Sequence, residues 1–172
     1  HDVFLDDKGE ADPAKSRDGG LAIGVPGTVA GLVLAHRKYG SGRLTLAQLI
    51  APSIALARNG FILDGDIADT LASARPLLAR WPSTMKIFFK GDAILSTGET
   101  LIQTDLANSL EAIARLSARG FYEGMVAEGI VKSVCNAGGR MTLEDLKNYR
   151  AVERAPIRGT YRGYDIISMP PP

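Results

Sequence analysis

Few residues in this chain combine a reactive type with a spacing that chemistry needs. The first candidate is "GGLAIGVPGTVAGLVLAHRKYG", from Gly19 to Gly40. An apolar run meets a Val-Pro-Gly corner and continues as a glycine-studded segment, the outline of a loop that cradles phosphate at a helix N-terminus. The details argue against that use. Pro26 occupies the corner and has no N–H to offer an anion. No Lys-Ser or Lys-Thr pair follows the glycines, and the spacing of Gly24, Gly27 and Gly31 does not match the dinucleotide fingerprint. Gly27 and Gly31 share one helix face and are expected to let that helix press close to a neighbouring backbone. Gly24, Pro26, Gly27 and Gly31 are therefore read as structural support rather than ligand-binding residues.

The remaining reactive types fare no better. The carboxylate pairs Asp64/Asp66 and Glu144/Asp145 fall at helix starts, where the helix dipole favours acids without any catalytic role. His36 lies beside Arg37 and Lys38 near a helix end, where positive charge is expected for the same reason. Cys135 sits in an apolar helical stretch and reads as a buried, inert thiol. A single cysteine excludes an internal disulfide. His1 and His36 are too far apart to form a ligand cluster, so no metal is expected. No serine occupies a G-x-S-x-G elbow. Arg150, Arg154, Arg158 and Arg162 alternate with apolar residues, as on a solvated strand face, with anion recognition the second reading. No catalytic residue and no cofactor site is assigned.

Bulk properties narrow the partners. The 172 residues are 45% hydrophobic and 23% charged, as in an ordinary globular fold, and the net charge of +1 gives no footprint for nucleic acid. With 6% aromatic residues, stacking platforms for single-stranded nucleic acid are few. No apolar stretch is long enough to span a membrane, and no secretory leader opens the chain.

The elements that would position these residues are mainly helical. Residues 1–20 read as an irregular lead-in, and Leu21 to Val25 as a short strand. Thr28 is expected to cap a helix from Val29 to Tyr39, stopped by Gly40. Thr45 opens the next helix, which Pro52 should kink or divide and Gly60 closes. Ile67, Leu71, Ala74 and Leu78 mark one face of a further helix, ended by Pro76 and Pro82. Lys86 to Phe89 reads as extended. Thr104 is the expected cap of a helix whose buried stripe is Leu106, Leu110, Ile113 and Leu116 and whose stop is Gly120. Another helix runs to Gly138 and Gly139, and Thr142 with Asp145 forms a capping-box variant. Residues 150–169 predict a β-hairpin turning at Arg162-Gly163, strongest from Tyr164 to Met169. The class is α+β: a single helix-rich portion over 21–172 with strand at both ends. Two terminal strands make a thin sheet, so partner strands outside this chain are expected. The start at His1 and the end on "SMPPP" suggest likewise an internal piece of a longer polypeptide.

Five segments in order, "GGLAIGVPGTVAGLVLAHRKYG", "LIAPSIALARNGF", "QTDLANSLEAIARLSARGFYEGMVAEGIV", "GGRMTLEDLKNY" and "PIRGTYRGYDIISMPPP", resemble the large-subunit region of γ-glutamyltranspeptidases. The resemblance runs from about Val3 to Pro172. It implies part of an αββα Ntn-hydrolase sandwich and a precursor that cuts itself, freeing an N-terminal threonine as nucleophile. That threonine's own α-amino group can serve as base. It attacks the γ-glutamyl amide of glutathione or a related compound, an oxyanion hole stabilises the intermediate, and the acyl group passes to water, an amino acid or a peptide. The resemblance places the threonine downstream of Pro172, and the substrate-gripping arginine, in an Arg-Glu-x-Ala-Pro stretch, upstream of His1. "ERAP" at 153–156 is superficially similar but stands elsewhere. The implied partners are therefore the N-terminal part and the small subunit of the same precursor, with a periplasmic or extracellular setting. An acylase or poly-γ-glutamate-processing relative is the alternative within the fold, and a non-catalytic helical scaffold the alternative outside it. The chain alone is expected to be inactive and to self-associate through uncovered apolar surface.

Overall fold

In the computed structural model, residues 2–171 are described. The lead-in is more ordered than its composition predicts. A 3-10 turn at Asp2–Phe4 is followed by α1 (Pro13–Arg17), whose cap Asp12 accepts from the backbone N–H groups of Ala14 and Lys15 at 2.9 and 3.2 Å. The strand expected at 21–25 is replaced by a 3-10 turn, Gly20–Ala22, followed by residues without a ladder partner among those described. The Gly20 N–H donates instead to the Ala137 carbonyl at 3.0 Å, which ties this segment to a helix end rather than to a sheet.

Next comes α2 (Thr28–Tyr39), beginning one residue earlier than expected. Thr28 lies inside it, and the cap position falls to Gly27, which has no side chain to fill it. In α3 (Leu46–Asn59), Thr45 and Gln48 form a reciprocal capping box, and Gly60 ends the helix at φ 80°. Pro52 does not divide it: with its start capped and one face packed on the later helix at Thr104–Leu116, the helix is continuous. The two-residue β1 (Phe61–Ile62) leads to α4 (Gly65–Leu78), capped by Asp64 through the Ile67 N–H at 2.9 Å. Pro76 lies within α4 rather than at its end, and the buried positions are Ala68 and Leu71, with Ile67 exposed.

Lys86 to Phe88, expected to be extended, belongs to α5 (Pro82–Phe88), which Pro82 starts from the first turn, where a missing N–H costs nothing. Only β2 (Phe89–Lys90) is extended, paired with β3 (Ala93–Ile94), and β4 (Thr100–Leu101) returns to β1. In α6 (Thr104–Leu116) the cap is Gln103, without a side-chain bond, and Thr104 is already helical. The expected stripe is only partly kept, with Ile113 buried as expected. Ala107 and Ile113 are buried, whereas Leu106 and Leu116 are exposed; α3, with its buried Ala57, packs against α6. Gly120 is not the stop: Ser117 turns the chain at φ 56°, and Gly120 lies in α7 (Arg119–Tyr122), tight against the Ala112 carbonyl of α6.

The last helices are α8 (Gly124–Asn136) and α9 (Leu143–Asn148), the latter with the expected Thr142–Asp145 capping box. Cys135, expected to be buried, is exposed on α8. The hairpin is present as β5 (Ile157–Tyr161) and β6 (Tyr164–Ser168), antiparallel from Ile157↔Ser168 to Tyr161↔Tyr164. Arg162 and Gly163 turn it at φ 52° and 82°, the pattern of a type I′ turn. All ten strand residues are exposed.

Two cores result. Tyr122, Ala127, Val134, Met141 and Leu146 unite α7, α8 and α9 and take in Val29 and Ala30 of α2. Leu63, Leu71, Leu95 and Leu101 form the other, beneath α4 and the short ladders. The class is α+β and mainly helical, as expected.

Candidate functional site: a latched corner and an exposed arm

The Val-Pro-Gly corner is held from the other side of the core. With Gly27 at its cap position, α2 has no side chain of its own to satisfy its first N–H groups. Tyr122, 6% exposed, supplies one: its hydroxyl accepts from the Ala30 N–H at 3.2 Å and donates to the Pro26 carbonyl at 2.7 Å. Two aromatic neighbours keep the phenol in place. Tyr149 stacks on it at 5.7 Å between ring centres, and Phe121 meets it edge-on at 5.0 Å. Burial, chiefly, pushes the Tyr122 phenol above its ordinary pKa, so it stays a donor.

The four support residues are placed differently by this geometry. Pro26 gives its carbonyl to the latch. Gly27 faces the Tyr149 ring, where an added Cβ would fall 2.9 Å from Cζ and collide with the hydroxyl. Gly24 and Gly31 have open space where a Cβ would stand. The expected backbone-to-backbone approach is therefore not at Gly27 and Gly31. It occurs at Gly20, where a Cβ would lie 2.6 Å from the Gly139 nitrogen, and at Gly139, where one would lie 2.5 Å from the Gly20 oxygen. Sequence reasoning missed Tyr122, Tyr149 and this glycine pair. The aromatic pair had one visible trace, two tyrosines that bracket α8 and α9 in the sequence.

Beside the tyrosines lies a groove of about 370 Å³, floored by Ala30, Val33 and Leu34 and rimmed by Arg37, Lys147 and Arg150. Arg150 is already engaged, donating to the Lys147 and Tyr149 carbonyls at 2.7 Å each.

Other candidate groups have structural duties. His36 Nε2 stands 3.0 Å from the Leu44 carbonyl oxygen. Asp64 caps α4 and Asp145 caps α9, where hydrogen bonds from Thr142 hold the Asp145 carboxyl below its ordinary pKa. Glu144 accepts from Asn148 at 2.6 Å. Among the described residues no three His, Cys, Asp or Glu side chains come together as a metal site, and no helix is long and apolar enough to cross a membrane.

The arginine series divides. Arg158 lies in β5 and Arg162 in the turn, both exposed, while Arg150 and Arg154 precede the strand. Arg154 Nη1 donates to the Pro171 carbonyl at 2.9 Å, across the open end of the hairpin. Its neighbour Glu153 accepts from both Lys38 Nζ and, at 2.9 Å, Tyr39 Oη, at the end of α2. These contacts, Lys38 first, hold the Glu153 carboxyl below its ordinary pKa. The arrangement can hold, aim and cap; the hydroxyl–carboxylate contacts of Ser96 with Glu99 and of Thr142 with Asp145 are exposed bonds of a turn and a helix cap.

Known proteins share this scaffold. The chain is 46% identical over 172 residues to a glutathione hydrolase proenzyme of Escherichia coli (strain K12), covering 99% of this chain and 29% of that protein. It is 42% identical over 150 residues to the capsule biosynthesis protein CapD proenzyme of Bacillus anthracis, covering 87% and 27%. Against the solved Helicobacter pylori γ-glutamyltranspeptidase the TM-score is 0.93 at 46% identity, over 99% of this chain and 49% of that one. The fold is thus that of the corresponding part of an Ntn-hydrolase, and the chain spans less than a third of the length of these proenzymes. Residues 1–172 match the γ-glutamyltranspeptidase family throughout, and the chain belongs to that family.

Proposed function

We propose that this chain is the helical supporting portion of a γ-glutamyl-transferring hydrolase. Residues 21–172 act as one helix-rich unit within it. The whole protein cleaves the γ-glutamyl amide of glutathione or a related compound and transfers the group to water, an amino acid or a peptide. The nucleophile is a threonine freed by self-cleavage outside these residues. One observation carries this reading: the family match extends over the entire chain, which spans 29% of a glutathione hydrolase proenzyme. The support residues Gly24, Pro26, Gly27 and Gly31 belong to the corner that begins α2. Its partners are the remaining parts of the same precursor, and its setting is periplasmic or extracellular.

The test compares two proteins. The longer protein containing this segment should mature into two chains and release chromophore steadily from a γ-glutamyl anilide, and the 172-residue chain should release none. Turnover by the short chain, or an inert mature protein, would overturn the reading. The likeness to a capsule biosynthesis proenzyme favours a second reading, with a γ-linked polymer as donor. Preference for a γ-linked glutamate oligomer over glutathione would select it.

A further inference from the structure

Glycine inside a helix costs stability relative to alanine, so each one invites a reason. Most glycines of this chain have one in view, a positive φ or a neighbour too close to admit a Cβ. Gly31, within α2, has neither: a Cβ there would stand in open space among the described residues. It shares one side of the helix with Thr28, Leu32 and Ala35, turned away from Val29 and Ala30, which pack on the core. That outer side is largely apolar and carries no charge, whereas a helix side made for water is charged and polar. Leu32 stands on it 64% exposed. This openness belongs to the part and not to the whole, because the chain covers 29% of the glutathione hydrolase proenzyme and 49% of the solved Helicobacter pylori chain.

We propose that the side of α2 formed by Thr28, Gly31, Leu32 and Ala35 is a seam, covered by a segment of the same precursor outside residues 1–172 whose backbone comes close at Gly31. The choice of occupant rests on the reading above that the partners of this chain are the remaining parts of its precursor; the reaction plays no part in it. Those parts make up more than two thirds of the proenzyme's length, enough to cover a helix side that a second copy would otherwise have to bury. A glycine at such a crossing lets two backbones approach where even a methyl group would hold them apart. Leu32 beside it supplies apolar area to bury. The sign of a substitution at this side therefore depends on whether the seam is filled.

Melting temperatures of the 172-residue chain and of the longer precursor report that dependence. Gly31→Ala should raise the midpoint of the chain by about 1–3 °C and lower that of the precursor by roughly 3 °C or more. Leu32→Lys should leave the chain within about 1 °C, as an exposed substitution does, and lower the precursor in the same way as Gly31→Ala. Shifts of the same sign in both proteins would overturn the seam. A photoreactive benzophenone amino acid in place of Leu32 identifies the occupant without any demand on stability. Irradiation of the precursor should join this position to a peptide from outside residues 1–172, within one molecule. A link between two copies, or no link, would overturn the proposal. A precursor that forms the intramolecular link but never releases chromophore from a γ-glutamyl anilide would instead overturn the catalytic reading and leave the seam standing.

Discussion

The Tyr122 hydroxyl lies 2.7 Å from the Pro26 carbonyl oxygen, to which it donates across 96 residues of sequence, and it accepts in turn from the Ala30 N–H. One phenol thus serves the carbonyl that precedes the Gly27 cap of α2 and an N–H of the helix's first turn. Tyr122→Phe keeps the ring and removes both bonds, leaving the Ala30 N–H without this partner. The expected cost is about 1–3 kcal/mol, read as a lower denaturant midpoint with an unchanged slope. An unchanged midpoint would show that the latch holds nothing.

Gly27 and Gly31 should respond in opposite senses. Gly27→Ala pushes a methyl into the Tyr149 hydroxyl and should cost about 1–3 kcal/mol through overpacking. Combining it with Tyr149→Phe should recover part of that loss, a non-additivity measurable in a double-mutant cycle. Gly31→Ala meets open space inside a helix and should stabilise by about 0.5–1 kcal/mol.

Glu99 sets an acid-side dependence. Its carboxyl is pulled from 4.5 to about 2, first by Lys90 and then by the Ser96 backbone and hydroxyl. A depressed carboxylate contributes stability above its unfolded-state pKa and loses it as pH falls through the folded one. Glu99→Gln should therefore flatten the fall in melting temperature between about pH 4.5 and 2. Identical acid limbs in parent and variant would contradict it.

Register places Ile157, Tyr161, Tyr164 and Ile166 on one face of the ribbon, all exposed. Such a face, with unpaired edges beside it, favours association of the isolated chain. Sedimentation should show concentration-dependent growth that Ile166→Lys reduces. A strictly monomeric parent at all concentrations would refute it.

Features whose cause lies within a few residues were legible in the sequence. The Thr45–Gln48 and Thr142–Asp145 capping boxes, the Gly60 stop and the Arg162-Gly163 turn each depend on local chemistry. Features decided by a distant partner were not. Thr28 looks like a cap because hydroxyls cap helices, but the hydroxyl that serves α2 arrives from Tyr122. The apolar period of α6 pointed to four residues; in contact with α3, Ile113 stays buried, Ala107 joins it, and Leu106 and Leu116 are left exposed. Leu21 to Val25 has strand composition, yet its course is settled by Gly20 at the end of α8. The family resemblance reached further than either kind of signal, because it rested on the order of five segments.

The contact between Gly20 and Gly139 joins stretches of sequence more than a hundred positions apart with no side chain on either. Mutational tolerance at the two sites is consequently joint. A library randomised at both should return glycine at both, because no exchange at one makes room for a substituent at the other. The lead-in and the end of α8 can drift in their surroundings, but at this crossing they share a single permitted spelling.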